Sequence, residues 1–481
     1  MKVFLFALIL VFSEYKVYTQ ESCCEDYCLA RDNERLQKRT FTSNTAYQFV
    51  RGTDLDVGFQ VPNCKAKKVW ITSRHGTRLP YREIILNATK LEEIKTQILN
   101  NYLNLHKPET GALCIEDFLS IQSWKFNSTI TPEMATFLTF QGWEDLKYLA
   151  ITLQKIFPNI MLKEYDSEHF VFHHTQTQRT EESFKAFAEG LFGPNVYQNI
   201  KRDIVPQIND TLLYAYSGCP IWTENDWNAY YSKDTEYYKF RESETVKKTI
   251  AHISRRLGFE TPLDFDYIEF MWDICRLEQA WYVNRTSIWC GAFTPAQLVV
   301  LEYLDDLVVY QTSGYGHEIN SRVSCNLAKD MLKKLDNDDD PDAVAYFAHS
   351  TTIETLITAL GINKDTVPLK ANNFASMTDR KWKTSIIDPF ASNLVAVKFE
   401  CSSKDSNKDN EKAMFFLNQK RVEFDWCSQG LCDWSNVLKH YETLYKANCT
   451  EYFCSKSNGQ KLTGVALTML SFVFVTLFLL V

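Results

Sequence analysis

At 481 residues the chain can bury a large core, and two packed subdomains fit that length better than one. Its 45% apolar fraction is ordinary for a globular protein, while a net charge of -8 argues against a general nucleic-acid partner. There is no internal repeat and no long low-complexity segment.

Met1-Lys2 and the apolar run at 3–12 have the charged start and short core of a signal peptide. Residues 1–19 are therefore expected to be removed, with cleavage between Ser13 and Gln20; the run is too short to span a membrane. All 14 cysteines follow it, and an even number in a secreted chain points to disulfides, with Cys64, Cys219, Cys275, Cys290, Cys325, Cys427 and Cys432 as candidates. Cys23-Cys24-x-x-x-Cys28 has no histidine nearby, so disulfides are favoured over metal there, and residues 23–60 read as an irregular, disulfide-tied arm. Sequons at Asn87, Asn127, Asn209, Asn284 and Asn448 agree with passage through the secretory pathway.

The most informative stretch is 67–80. Val69-Trp70-Ile71 is short, apolar and bounded by charge, as in a buried strand. Arg74-His75-Gly76-Thr77-Arg78-Leu79-Pro80 follows at its C-terminal end, with Arg82 making three arginines within nine residues. Two guanidiniums can each fork two hydrogen bonds to phosphoryl oxygens, and a neutral imidazole between them can attack the phosphorus they hold. Gly76 would let backbone approach the ligand closely, and Pro80 would stiffen the exit.

Beyond it, apolar residues at helical spacing predict helices around 82–103 and over 132–156. A strand is expected at 168–173 and a helix at 181–191, with Arg179 in the loop between them and His173 and His174 beside it. Residues 195–325 are aromatic-rich with helical spacing and read as an inserted, mainly α-helical subdomain, flanked by a core formed from 20–194 and 326–455. Asp336-Asn337-Asp338-Asp339-Asp340 resembles the start of a calcium loop, but Pro341 and Phe347 stand where such a loop needs glycine and glutamate, so a solvated helix end is expected. Residues 343–348 form a second buried strand ending at His349, and 393–399 with 414–417 a hairpin around a charged loop. The alternation points to an α/β sheet flanked by helices, with the ligand outside the carboxyl ends of its strands.

The last 20 residues, 462–481, carry no charge, a length that spans a bilayer as a helix. With no basic flank after Val481 and small polar residues at 455–459, the tail fits either a GPI-anchor signal or a tail-anchoring helix. Both place the protein at the cell surface or in the lumen of the secretory pathway, attached to membrane.

The Arg74–Pro80 segment matches the RHGxRxP signature of the histidine acid phosphatases. Gln178-Arg179-Thr180 before its helix resembles that family's third phosphate-binding arginine. The segments 273–281, Trp289-Cys290, 301–304 and 314–320 resemble the multiple inositol polyphosphate phosphatase branch specifically. The resemblance runs from about Cys23 to Cys454. It implies an α/β phosphatase core with a helical insert. The implied activity is removal of phosphate from inositol polyphosphates, inositol hexakisphosphate among them, and from 2,3-bisphosphoglycerate, with no cofactor or metal. Carried over, His75 is the nucleophile, Arg74, Arg78 and Arg179 bind the transferring phosphoryl group, and His349 donates a hydrogen bond across it.

The chain departs from that family where it should carry its proton donor. The family reads His-Ala-Glu or His-Asp there; this chain reads His349-Ser350-Thr351-Thr352-Ile353-Glu354, with Ser350 and Thr351 in the carboxyl positions. Glu354 is the nearest carboxylate and the candidate replacement acid, although Thr351-x-x-Glu354 also has capping-box spacing. Losing a general acid costs on the order of 10²–10⁴ in rate. Two readings stay open: a phosphatase that turns over slowly, and a non-catalytic binder of phosphorylated ligands using the same arginines.

Overall fold

Residues 26–104, 107–402 and 410–454 are described by a computed structural model. The expected signal peptide and C-terminal tail lie outside them, as do Cys23 and Cys24. Among the described residues no helix is long and apolar enough to cross a membrane.

A seven-stranded mixed sheet organises the chain: β1 (Cys64–Arg74), β2 (Phe170–His174), β3 (Ala343–Ala348), β4 (Asn393–Cys401), β5 (Glu411–Leu417), β6 (Lys420–Arg421) and β7 (Cys432–Asp433). Its order is β2-β3-β1-β4-β5-β6, with β7 also on β5. β3 is parallel to both β1 and β2, whereas β4 runs antiparallel to β1. Helices cover both faces, so the central strands are apolar along their length, and every residue of β3 is buried. Val69 and Ile71 point one way, into a cluster with Leu146, Leu149, Phe184 and Phe187 from helices α1 (Phe140–Ile156) and α2 (Gln178–Phe192). A second cluster outside the sheet packs Leu91, Ile94 and Ile98 against Trp272 and Ile274 of α3 (Phe265–Trp281) and Leu298 of α4 (Pro295–Thr312). Trp70 points the other way, toward Met331 of α5 (Cys325–Asp336) and Ile353 and Leu356 of α6 (Ser350–Ala359).

Each candidate cysteine is bridged: Cys64 to Cys401, Cys219 to Cys454, Cys275 to Cys290, Cys325 to Cys449 and Cys427 to Cys432. A sixth bridge, Cys28–Cys114, ties the N-terminal arm. Of the sequon asparagines, Asn127, Asn209, Asn284 and Asn448 are exposed and Asn87 is half-buried.

The expected helix at 132–156 is two elements. A single turn at Pro132–Met134 ends in Thr136, whose backbone is left-handed (φ 63°) and donates its N–H to Pro80 O. α1 begins only at Phe140, where Thr139 caps it by accepting from Gly142 N at 3.2 Å. Hydrogen bonds to the loop after β1 outcompete helix across 135–139. Arg179 sits not in a loop but in the first turn of α2.

Candidate active site

Parallel pairing brings the site together. Arg74 is in register with Ala348, His75 N donates to Ala348 O (3.0 Å), and Thr175 N donates to Phe347 O (3.1 Å). The chain therefore leaves β1, β2 and β3 at one edge of the sheet, carrying His75, Thr175 and His349 there together. β4 enters from the same edge because it is antiparallel, with Ser73 opposite Asn393, and this delivers Asp388 and Phe390 just before it.

The loop after β1 is held from beneath by α1. A Cβ on Gly76 would lie 2.6 Å from Gly142 Cα, and Gly142 in turn faces Thr77 backbone. Gly76 is thus required by the close approach of a helix start, a reason the sequence reading did not foresee. Thr139 N donates to Thr77 O (2.8 Å), Gly76 N to Ser183 Oγ (3.1 Å), and Thr77 Oγ1 reaches Asp145 Oδ2 (3.4 Å). Burial pushes the Asp145 carboxyl up to about 7.

His75 is 3% exposed, and its Nδ1 lies 2.8 Å from Gly76 O. A carbonyl can only accept, so the proton sits on Nδ1 and Nε2 keeps its lone pair. Burial first, then the guanidiniums of Arg74 and Arg179, hold this imidazole well below its usual range, so it stays neutral and nucleophilic in acid. His349 lies beside it, ring centroids 5.8 Å apart, and is pushed down to about 3 by burial and then by Arg179. Its Nδ1 faces Arg179 Nη2 at 3.3 Å and its Nε2 faces Thr175 Oγ1 at 2.9 Å. Because guanidinium only donates, Nδ1 accepts and Nε2 carries the proton. His349 here steers Arg179, and both of its nitrogens are engaged.

The three arginines are partnered differently. Arg74 Nη1 donates to Ser43 O (2.5 Å), Asp388 O (2.7 Å) and Asp388 Oδ2 (3.2 Å), and its guanidinium lies over the Phe390 ring. Arg78 stacks on Tyr81 at 4.0 Å and donates to Leu79 O (2.9 Å); Arg179 reaches Thr136 Oγ1 (3.3 Å). Among the described residues neither Arg78 nor Arg179 has a carboxylate partner within ion-pair distance, and Arg74 Nε and Arg179 Nε are buried without any. Buried cations lacking counter-charge attract an anion of matching shape.

His75, His349, Arg74, Arg78 and Arg179 therefore converge at one end of the sheet. Glu354 does not cap: α6 starts at Ser350 with His349 as its N-cap residue, so Thr351 and Glu354 lie inside the helix and the capping-box reading is corrected. The Glu354 carboxyl is buried and instead lies 3.3 Å from Ser350 Oγ, which also donates to Asp388 Oδ2. His173 and His174 are buried; His173 Nε2 is 3.3 Å from Asp210 Oδ2 without a hydrogen bond between them, while Asp210 Oδ1 accepts from Leu213 N and Tyr214 lies against the His349 ring. Sequence reading missed Asp388, Asp145, Thr175 and Gly142. Asp388-Pro389 reads locally as a turn, and nothing in its neighbourhood announces that antiparallel pairing will bring it to Arg74.

Residues 65–416 match the histidine phosphatase superfamily (branch 2). The chain is 47% identical over 458 residues to multiple inositol polyphosphate phosphatase 1 of Drosophila melanogaster, covering 94% of this chain and 96% of that protein. It is 27% identical over 338 residues to the Homo sapiens protein of the same name, covering 66% and 68%. Among solved structures it is similar in fold to a phytase from D. castellii (TM-score 0.67, 15% identity, 86% of each chain). It is also similar to the Bifidobacterium longum multiple inositol polyphosphate phosphatase in complex with inositol hexasulfate (TM-score 0.63, 13% identity, 88% and 99%).

Proposed function

The chain belongs to the histidine phosphatase superfamily, branch 2, and from that premise we propose that it hydrolyses inositol polyphosphates through a phosphohistidine on His75. The observation that carries this reading is the His75 tautomer: Nδ1–H is bound to Gly76 O, which leaves Nε2 as the free nucleophile beside three arginines. Nε2 attacks phosphorus while Arg74, Arg78 and Arg179 neutralise the equatorial oxygens, and His349 keeps Arg179 turned toward them. Water then attacks the phosphohistidine and releases inorganic phosphate. No residue needs to gain a proton before the attack, since His75 is already neutral.

The test is purified protein given inositol hexakisphosphate and 4-nitrophenyl phosphate, with rapid-quench trapping of the covalent intermediate. Wild type should release phosphate and trap label, and His75→Ala should do neither while unfolding at the same temperature. Label retained by His75→Ala would refute the nucleophile.

The six disulfides and the exposed sequons support work in the secretory pathway or at the cell surface. The apolar 462–481 tail supports membrane attachment. Phospholipase that cleaves GPI anchors should then release the protein from cells; retention with the 462–481 peptide still attached means a spanning helix.

A further inference from the structure

Ser350, Asp388 and Glu354 form a cluster for which the nucleophile and the three phosphate-binding arginines leave no role. Ser350 is the first residue of α6, directly after His349, and it is half-exposed. Asp388 is 0% exposed and Glu354 is 3% exposed, so Ser350 is the one member of the trio that is not buried. The Ser350 Oγ stands between two carboxyl oxygens, donating to Asp388 Oδ2 and lying 3.3 Å from Glu354 Oε1.

A serine hydroxyl has one proton to donate and two lone pairs to offer. If it donates to Asp388, its contact with Glu354 Oε1 is a hydrogen bond only when Glu354 carries a proton. Two further facts put the proton on the same group. Arg74 Nη1 is 3.2 Å from Asp388 Oδ2, which favours Asp388 as the ionised member, and no cation touches Glu354 among the described residues. Asp388 Oδ1 is buried without a donor, and the Glu354 and Asp388 carboxyls both lie within reach of the one Ser350 hydroxyl. Two carboxyls this close in a dry site hold one proton between them. Burial and then the neighbouring Asp388 charge push Glu354 well above its usual range, and burial lifts Asp388 to about 6.

We propose that Ser350 protonates the leaving oxygen and that the Glu354–Asp388 pair supplies the proton, replacing the carboxyl absent at Thr351. The inference rests on the phosphohistidine reading of His75. In the first step the His75 Nε2–P bond forms and the P–O bond to the alcohol breaks. The departing oxygen takes the Ser350 proton, and Ser350 takes the proton held by the pair, leaving two carboxylates beside Arg74. In the second step water attacks phosphorus, the N–P bond breaks, and the proton lost by water returns through Ser350 to the pair. One water is consumed, and the enzyme regains its starting charge. Ser350 is the group that meets the reacting atoms; Asp388 and Glu354 act through it.

The experiment compares wild type, Ser350→Ala and Glu354→Gln on inositol hexakisphosphate, a poor leaving group, and on 4-nitrophenyl phosphate, which departs without a proton. Each variant should lose about 10²–10⁴ in kcat on the inositol ester and at least tenfold less on the aryl ester. Wild type should lose inositol-ester activity as pH rises through the titration of the pair, and Glu354→Gln should lack that limb. Thr351→Glu placed in the Ser350→Ala background should restore inositol-ester turnover. Equal losses on both esters would mean the cluster merely positions Arg74, and no loss in Glu354→Gln would mean the proton comes from elsewhere; either overturns the relay while leaving the His75 reading intact. Glu354→Gln keeps shape and hydrogen bonding, so it decides the matter even if Ser350→Ala fails to fold. Failure of wild type to trap a phosphoenzyme from either ester would instead refute the His75 reading, and the relay with it.

Discussion

Arg74 and Arg380 are both buried beside two carboxyls and a serine, yet the two clusters are finished differently. Around Arg380, Nε donates to Asp306 Oδ2 (2.7 Å), Nη1 to Met377 O (3.2 Å), and Nη2 to Asp306 and Glu302. The carboxyls are closed in turn by Ser385 Oγ on Glu302 and by Thr384 N (2.9 Å) and Oγ1 (2.5 Å) on Asp306. Burial and then Asp306 lift Glu302 to about 7, but every polar atom of this knot has a partner. Among the described residues, Arg74 Nε, Asp388 Oδ1 and Arg179 Nε around Arg74 have none, and Arg78 and Arg179 have no carboxylate within ion-pair distance. Similar residues thus build a strut in one place, where bonding is complete, and leave bonding open in the other, which suits the phosphate-binding role proposed for it.

The sharpest way to break this contrast is to remove an arginine from each cluster. Arg380→Met strands two buried carboxylates and should cost about 3–5 kcal/mol of stability, read by denaturant unfolding, with kcat of the folded fraction unchanged. Arg179→Met should do the reverse: kcat/KM falls about 10²–10³-fold with the unfolding midpoint nearly unmoved, because the arginine has no buried anion to abandon. If both variants lose stability equally, the distinction between strut and open site fails.

A smaller effect sharpens the open side. In the Ser350→Ala background, Thr351→Glu puts a carboxyl where the family carries its donor, and turnover on inositol hexakisphosphate should rise about tenfold or more over Ser350→Ala alone, with little gain on 4-nitrophenyl phosphate. Equal gains on both esters would point to altered binding instead of protonation.

The smallest effect is in pH. Lowered imidazole values mean that the neutral form persists as pH falls, so protonation of His75 and His349 should not reduce kcat/KM on the aryl ester just below 6.5. A histidine of ordinary pKa would lose about nine-tenths of its neutral form one unit below that value. A tenfold loss there would show that burial and the arginines do not depress His75.

What the sequence by itself determined is local. The apolar run before Arg74-His75-Gly76-Thr77-Arg78 and the run ending at His349 identify two buried strands with histidines at their ends, because strand burial is written in composition and reach is short. Arg179 was legible only through its resemblance to a family, and its helix begins earlier than periodicity places it. Pairing was not legible: that β1 and β3 are parallel neighbours while β4 runs back beside them depends on sheet order across more than 300 residues. That ordering makes Asp388 a neighbour of Arg74 and turns Glu354 from an expected helix cap into half of a buried carboxyl pair. Gly76 carries the same lesson, since its need for no side chain comes from Gly142, which only packing brings near. Local propensity follows from a residue and its neighbours in the chain, whereas proton sharing and charge balance follow from neighbours in space, and only the tertiary structure decides those.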